Sequence, residues 1–132
     1  MAFRLATIAR NDACNGVVDL LDSGQIQIYT GTQPGTAGAT PTGTLLGTCV
    51  FGAAAFGDAV TGTATANAIT ADSSADDSGT AGCFRLTTSG GTSGVADGTC
   101  GQGAGDLSFD NSVIVAGGEI AVTSFTVTVP TS

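Results

Sequence analysis

The chain has 132 residues with only 3 basic and 11 acidic side chains, no His, and a formal net charge of −8. That length suits one domain with a real core, and a mean hydropathy of +0.33 excludes the low hydrophobicity that disorder requires. Arg4 and Arg10 lie within residues 1–10, while every carboxylate and only Arg85 lie beyond, which excludes the basic footprint of a nucleic-acid binder.

MAFRLATIAR (1–10) lacks the apolar stretch of a secretory signal, so synthesis in the cytoplasm is expected. Residues 1–8 read as an N-terminal arm, either a frayed tail or a cationic segment that docks on an acidic neighbour. Residues 9–22 are the helix candidate, with Ala9, Ala13, Val17, Leu20 and Leu21 on one apolar stripe and Gly24 placed as the stop. Strands follow. QIQIYTG (25–31) and TLLGTCVF (44–51) are the first two, joined by a Thr/Gly/Pro-rich loop at 32–43. A loop that long without structure of its own tends to be functional, and a neighbouring molecule is expected to order it.

VTGTATANAI (60–69) alternates Thr and Ala and reads as one strand with a close-packing Ala face. ADSSADDSG (71–79) is a polar turn, and TAGCFRLTT (80–88) is a strand. A Gly-rich turn at 89–94, a short return strand from Val95, a loop at 101–106 and a strand carrying Leu107 and Phe109 come next. In NSVIVAGGEIAVTSFTVTVP (111–130), Gly117-Gly118 marks a hairpin. Ile120 and Val122 differ in parity from Phe125, Val127 and Val129, so a bulge or bend is expected near 123–124. The expected fold is all-β: an antiparallel β-sandwich, Ig-like or jelly-roll-like, with one short N-terminal helix, formed as a single domain over 1–132.

No catalytic constellation appears. His and Lys are both absent, and acid–base or Cys-nucleophile chemistry usually recruits one of them; no enzyme activity and no cofactor are expected. Cys14, Cys49, Cys83 and Cys100 form no C-x-x-C pair, which argues against zinc. Buried free thiols, or one disulfide between Cys83 and Cys100, remain. Asp72, Asp76 and Asp77 offer carboxylates but not the spacing of an EF-hand calcium loop, so no metal is expected. Charged residues make up 11% of the chain, against about 25% in an average soluble protein. Such a Thr-rich, low-charge coat fits a surface covered by neighbours, or an extracellular β-domain.

Several runs carry a family likeness: IYTGTQP (28–34), TGTLLGT (42–48), TATANAI (63–69), GTAGCFRL (79–86) and SVIVAGGEIAVTSFTVTVP (112–130). Together they resemble small capsid cement, or decoration, proteins of tailed phages and prophages, including cyanophage-like ones, over residues 9–130. The resemblance implies a β-rich structural protein on the outer face of the virion capsid. It would bind the major capsid protein, bridge capsomers as a homo-oligomer, and have no nucleic-acid or membrane partner. Phe3, Arg4 and Arg10 of the arm and helix, Tyr29, Thr32, Gln33, Pro34 and Pro41 around the loop, and Val127 and Val129 of the last strand are the expected contacts. Another virion component (tail tube, tail fibre or connector part) and a glycan- or receptor-binding adhesin module are the competing readings.

Overall fold

In the computed structural model, residues 3–102, 107–109, 112–122 and 124–131 are described. The chain is mostly β-strand in antiparallel sheets with one short helix. Helix α1 spans Thr7–Asp19. Strands β1 (Gln25–Thr30), β2 (Leu45–Phe51), β3 (Thr63–Thr65), β4 (Ile69–Thr70), β5 (Gly79–Thr87), β6 (Gly94–Gln102), β7 (Leu107–Phe109), β8 (Val113–Ile114) and β9 (Thr126–Thr128) follow. The larger sheet runs β4-β2-β1-β5-β6-β7, with β8 also paired to β5; β3 and β9 form a separate two-stranded sheet. The β6–β7 pairing is parallel. Among the described residues, no helix is long and apolar enough to cross a membrane.

Period-two alternation decides which face of the large sheet is dry. Ile26 and Ile28 sit opposite Leu86 and Phe84, and Ile26 sits opposite Cys49 on its other side. These residues join Leu46, Phe51, Ile114 and Leu107 in one buried cluster. Ile120, Val122 and Phe125 complete it. The Phe125 ring meets Phe84 edge-on with centroids 5.6 Å apart, the geometry that the ring quadrupoles favour. A second, smaller cluster of Cys14, Val18, Ala59 and Ala64 lies between α1 and the β3–β9 pair.

Several expectations are corrected. The run 60–69 is not one strand. Val60 and Thr63 exchange both backbone hydrogen bonds across Thr61 (φ 52°) and Gly62 (φ 77°), the two-positive-φ conformation of a tight type I′ turn. The Gly117-Gly118 turn does form, with Gly118 N–H on the Val115 carbonyl at 2.8 Å, but its two arms do not pair with each other. Instead β8 pairs Gly79 and Thr80, Ala75 bonds Gly117 and Gly118, and Ile120 bridges Asp72. Both arms thus pair along residues 72–81.

The break expected near 123–124 lies partly outside the described residues, at Thr123. On either side of it the buried parity changes, from Ile120 and Val122 to Phe125, and the strand pairing is interrupted. The expected loop at 101–106 also lies outside the described residues over 103–106, its first two residues belonging to β6.

The helix ends at Asp19, three residues before the expected limit. Gly24 is not its cap. It lies where a Cβ would strike the Thr87 and Leu21 carbonyls, so close backbone packing requires glycine there.

Candidate functional site

The residues expected to make contacts fall into two groups, one around the termini and one over the sheet. Helix α1 brings the first together. Of the stripe anticipated from hydrophobic spacing, Leu21 is buried and Val17 half-buried, whereas Ala9, Ala13 and Leu20 are exposed; Cys14 and Val18 supply the rest of the buried face. Docking is largely polar. Asn11 Oδ1 accepts the Gly62 amide at 2.8 Å, and Asn15 Oδ1 accepts the Ala59 amide at 2.8 Å. Arg10 Nε donates to the Val129 carbonyl at 2.9 Å, and Cys14 Sγ donates to the Val127 carbonyl at 3.4 Å.

Thus one edge of β9 is paired with β3, and carbonyls of Val127 and Val129 are covered by helix side chains. Leu5 N–H reaches the Thr131 carbonyl at 2.8 Å, so the arm runs beside the C-terminal segment. Arg4, Leu5, Ala6 and Thr131 line an open groove between them. Phe3 is 74% exposed and Arg4 is also exposed. Phe3, Arg4, Arg10, Val127 and Val129 therefore belong to one region, in which Val127 and Val129 are half-buried against the helix.

The second group surrounds the polar face of the large sheet. Gln25, Gln27 and Tyr29 alternate with the core isoleucines on β1 and sit opposite Thr87, Arg85 and Cys83 on β5. Arg85 is in turn opposite Asp97 on β6. This face is covered by the 31–44 loop. Gln33 Nε2 donates to Asp97 Oδ1 at 2.6 Å, Cys83 Sγ donates to the Thr32 carbonyl at 3.6 Å, and Arg85 Nη2 donates to the Gly38 carbonyl at 3.4 Å. Arg85 Nη2 also holds the neighbouring turn through the Thr92 carbonyl at 3.2 Å, as Gln27 Nε2 does through the Gly91 carbonyl at 2.9 Å. Arg85 Nε and Asp97 Oδ2 are buried and have no hydrogen-bond partner.

Within the chain itself the loop is bonded to its own sheet. Tyr29 and Pro41 are buried, Tyr29 with its hydroxyl on Gln27 Oε1 at 3.2 Å, so neither belongs to the chain's free surface. Thr32 and Gln33 remain exposed and Pro34 is half-exposed. Gln27 and Arg85 were missed by sequence reasoning. Their signal was the polar parity of QIQIYT facing the one arginine beyond the N-terminus.

All four thiols are free. Cys83 faces the loop, while Cys100 belongs to the core on the opposite side of the sheet, so no disulfide joins them. Burial and then the nearby Cys83 push the Cys100 thiol up to about 12. Burial also raises Cys49, and burial followed by Asp97 raises Cys83. These three shifts run opposite to the depressed pKa of a reactive thiolate.

Two of the three acids of the 71–79 turn, Asp72 and Asp77, serve the backbone. Asp72 Oδ2 accepts the Thr48 amide at 2.8 Å, its Oδ1 accepts the Ser74 amide at 3.0 Å, and Asp77 Oδ1 accepts the Ser78 amide at 2.8 Å. Among the described residues, no three potential ligands gather to hold a metal ion. No family model, curated protein or solved structure matches this chain.

Proposed function

We propose that the chain is a structural virion protein, a capsid cement or decoration protein that binds the outer face of the major capsid shell and bridges capsomers. In this reading it is not an enzyme, uses no cofactor, and engages neither nucleic acid nor membrane. The observation that carries the reading is the terminal region, where an exposed aromatic and an exposed cation flank a groove on a body that is otherwise acidic. A cement protein needs many modest contacts repeated by symmetry. Once one contact forms, the next is effectively intramolecular, so weak contacts add to firm binding. We further read the architecture as an antiparallel β-sandwich of Ig-like or jelly-roll-like kind, supported by a second sheet, β3–β9, beside the large one and by Ile120, Val122 and Phe125 packing in the large sheet's core with Val127 of β9 partly buried against it.

The experiment is reconstitution on tailed-phage capsids lacking decoration. Added protein should bind in many copies per particle and raise the temperature at which DNA escapes. Absence of binding ends the proposal, and a handful of copies per particle assigns the chain to a connector or tail instead.

A further inference from the structure

We propose that residues 32–43 form a strap that opens and closes over the polar face of the large sheet and thereby gates access to Cys83. The strap is tied down lightly. No residue of 31–44 belongs to either hydrophobic cluster. Pro41, near its far root, is buried, and the rest of 32–43 is exposed or half-exposed, so little apolar burial holds it. Its bonds to the sheet are polar. The shortest, from Gln33 Nε2 to Asp97 Oδ1 at 2.6 Å, is exposed, where water competes for both groups. The Arg85 bond to the Gly38 carbonyl, at 3.4 Å, is longer than the ordinary range of about 2.7–3.2 Å. Another comes from the Cys83 thiol, a weak donor. Few buried apolar contacts and solvent-accessible bonds mark a segment that opens well before the fold does.

The ends of the strap are fixed while its span is free to swing. Thr30 N–H bonds the Thr44 carbonyl at 3.0 Å, and Thr44 N–H bonds Thr30 Oγ1 at 2.9 Å, which closes a neck. Glycines stand just beyond the neck on both sides, Gly31 with φ 84° and Gly43. Without side chains, they absorb the backbone rotation that a hinge requires. Closed, the strap rests on two further glycines. A Cβ at Gly82 would strike the Gly31 carbonyl, and one at Gly94 would lie 2.5 Å from the Gly38 carbonyl oxygen.

The groups beneath the strap oppose its closure. Arg85 is 7% exposed, and its Nε and Asp97 Oδ2 are buried without hydrogen-bond partners. Gly38 and Gln33 of the strap bond these same two side chains. Withholding such groups from water is unfavourable, and opening returns both to it. The closed strap thus sets a few polar bonds against two desolvated charged groups, so the two states lie close in free energy. Cys83 reports on the balance. It is 0% exposed and its thiol faces Thr32, so opening uncovers it. Cys49 is enclosed in the core cluster, so only unfolding uncovers that thiol. The strap is a property of the chain alone and does not depend on the capsid reading.

The test is iodoacetamide labelling of the full native chain, resolved cysteine by cysteine with mass spectrometry and normalised to the rates in the urea-unfolded chain. Cys83 should label at least about tenfold ahead of Cys49, as local opening precedes global unfolding. Its rate should change little in dilute urea, because opening exposes little surface, whereas Cys49 labelling should rise steeply. Gln33→Ala, at an exposed position, should speed Cys83 labelling about two- to tenfold, the range for loss of one hydrogen bond, and leave Cys49 unchanged. A Cys83 that labels no faster than Cys49, or with the same steep urea dependence, overturns the proposal. So does a Gln33→Ala variant that leaves Cys83 unaffected or accelerates both thiols together.

Discussion

Replacing Asn11 and Asn15 together with Ala sets two effects of opposite sign against each other. Ala has the higher helix propensity, so an isolated helix would gain about 0.6 kcal/mol at each site. In the folded chain, however, each Asn accepts one backbone amide at 2.8 Å, from Gly62 and Ala59 respectively. Both amides belong to the stretch around the Thr61–Gly62 turn that α1 covers. Leaving such a donor without its acceptor costs about 1–3 kcal/mol. The net loss for the pair is therefore about 1–5 kcal/mol, and at roughly 4 °C per kcal/mol for a chain of this size the melting temperature should fall by about 4–20 °C. The Asn11→Asp, Asn15→Asp pair keeps the accepting oxygens and should retain most of the stability at pH 7. Thermal denaturation followed by circular dichroism measures all three proteins. A double-Ala variant that melts at or above the parent temperature would refute polar docking and leave propensity as the only effect. A double-Asp variant that falls as far as the double Ala would refute the role of the acceptors.

Two further outcomes follow from the sheet. In Gly94→Ala the new Cβ would lie 2.5 Å from the Gly38 carbonyl oxygen and 3.0 Å from Arg85 Nε, so the loop must lift by about 1 Å, at a cost of about 1–3 kcal/mol. Amide exchange over 32–43 should then quicken by about tenfold or more while α1 is unchanged; equal protection would detach the loop from Arg85. The raised thiols make stability sensitive to alkali. Folded Cys100 holds its proton up to about 12, against an ordinary value of 9.0, so above pH 9 the folded state binds more protons than the unfolded one. This stabilisation is complete below pH 9 and is lost as pH rises toward 12. Urea melts between pH 8 and 11 should show the fall, more gently in Cys100→Ala, and a flat profile would contradict burial of the thiols.

The strands that sequence spacing located well are those whose alternation is carried by large residues. The expected 25–31, 44–51 and 80–88 became Gln25–Thr30, Leu45–Phe51 and Gly79–Thr87. The 60–69 run was opaque because Thr-Gly satisfies both a Thr/Ala alternation and a turn. Only the pairing of Ala64 with Val127, distant in sequence, shows where the strand begins. The pairing of β8 with β5 was hidden for a similar reason: Gly-Gly announces a turn but not which segment its arms will meet. The helix face misled for a physical reason as well. Hydrophobic periodicity registers apolar burial, whereas Asn11, Asn15 and Arg10 dock by hydrogen bonds, and a polar contact has no hydrophobic period. The loop at 32–43 was recognisable as a long connection within one domain, but its attachment within the chain depends on Arg85 and Asp97, more than forty residues downstream.

The scarcity of charge takes on a different meaning once these contacts are traced. A fold of short strands and long connections leaves many backbone groups outside the ladders, and each one that is shielded from water needs a partner. Asp22 holds the Ala55 amide at 2.9 Å, Asp72 holds Thr48 and Ser74, and Asn67 Nδ2 holds the Ala54 carbonyl at 2.8 Å. Arg10 and Arg85 bind the carbonyls of Val129, Gly38 and Thr92. Of the three basic residues in the chain, two are thus committed to carbonyls of their own fold, which leaves Arg4 as the cation exposed beside the terminal groove. Composition alone makes the acidic body a candidate ligand for metals or partners. With Asp22 and Asp72 engaged on the backbone, the exposed Phe3 and Arg4 carry the case for an external contact at the termini.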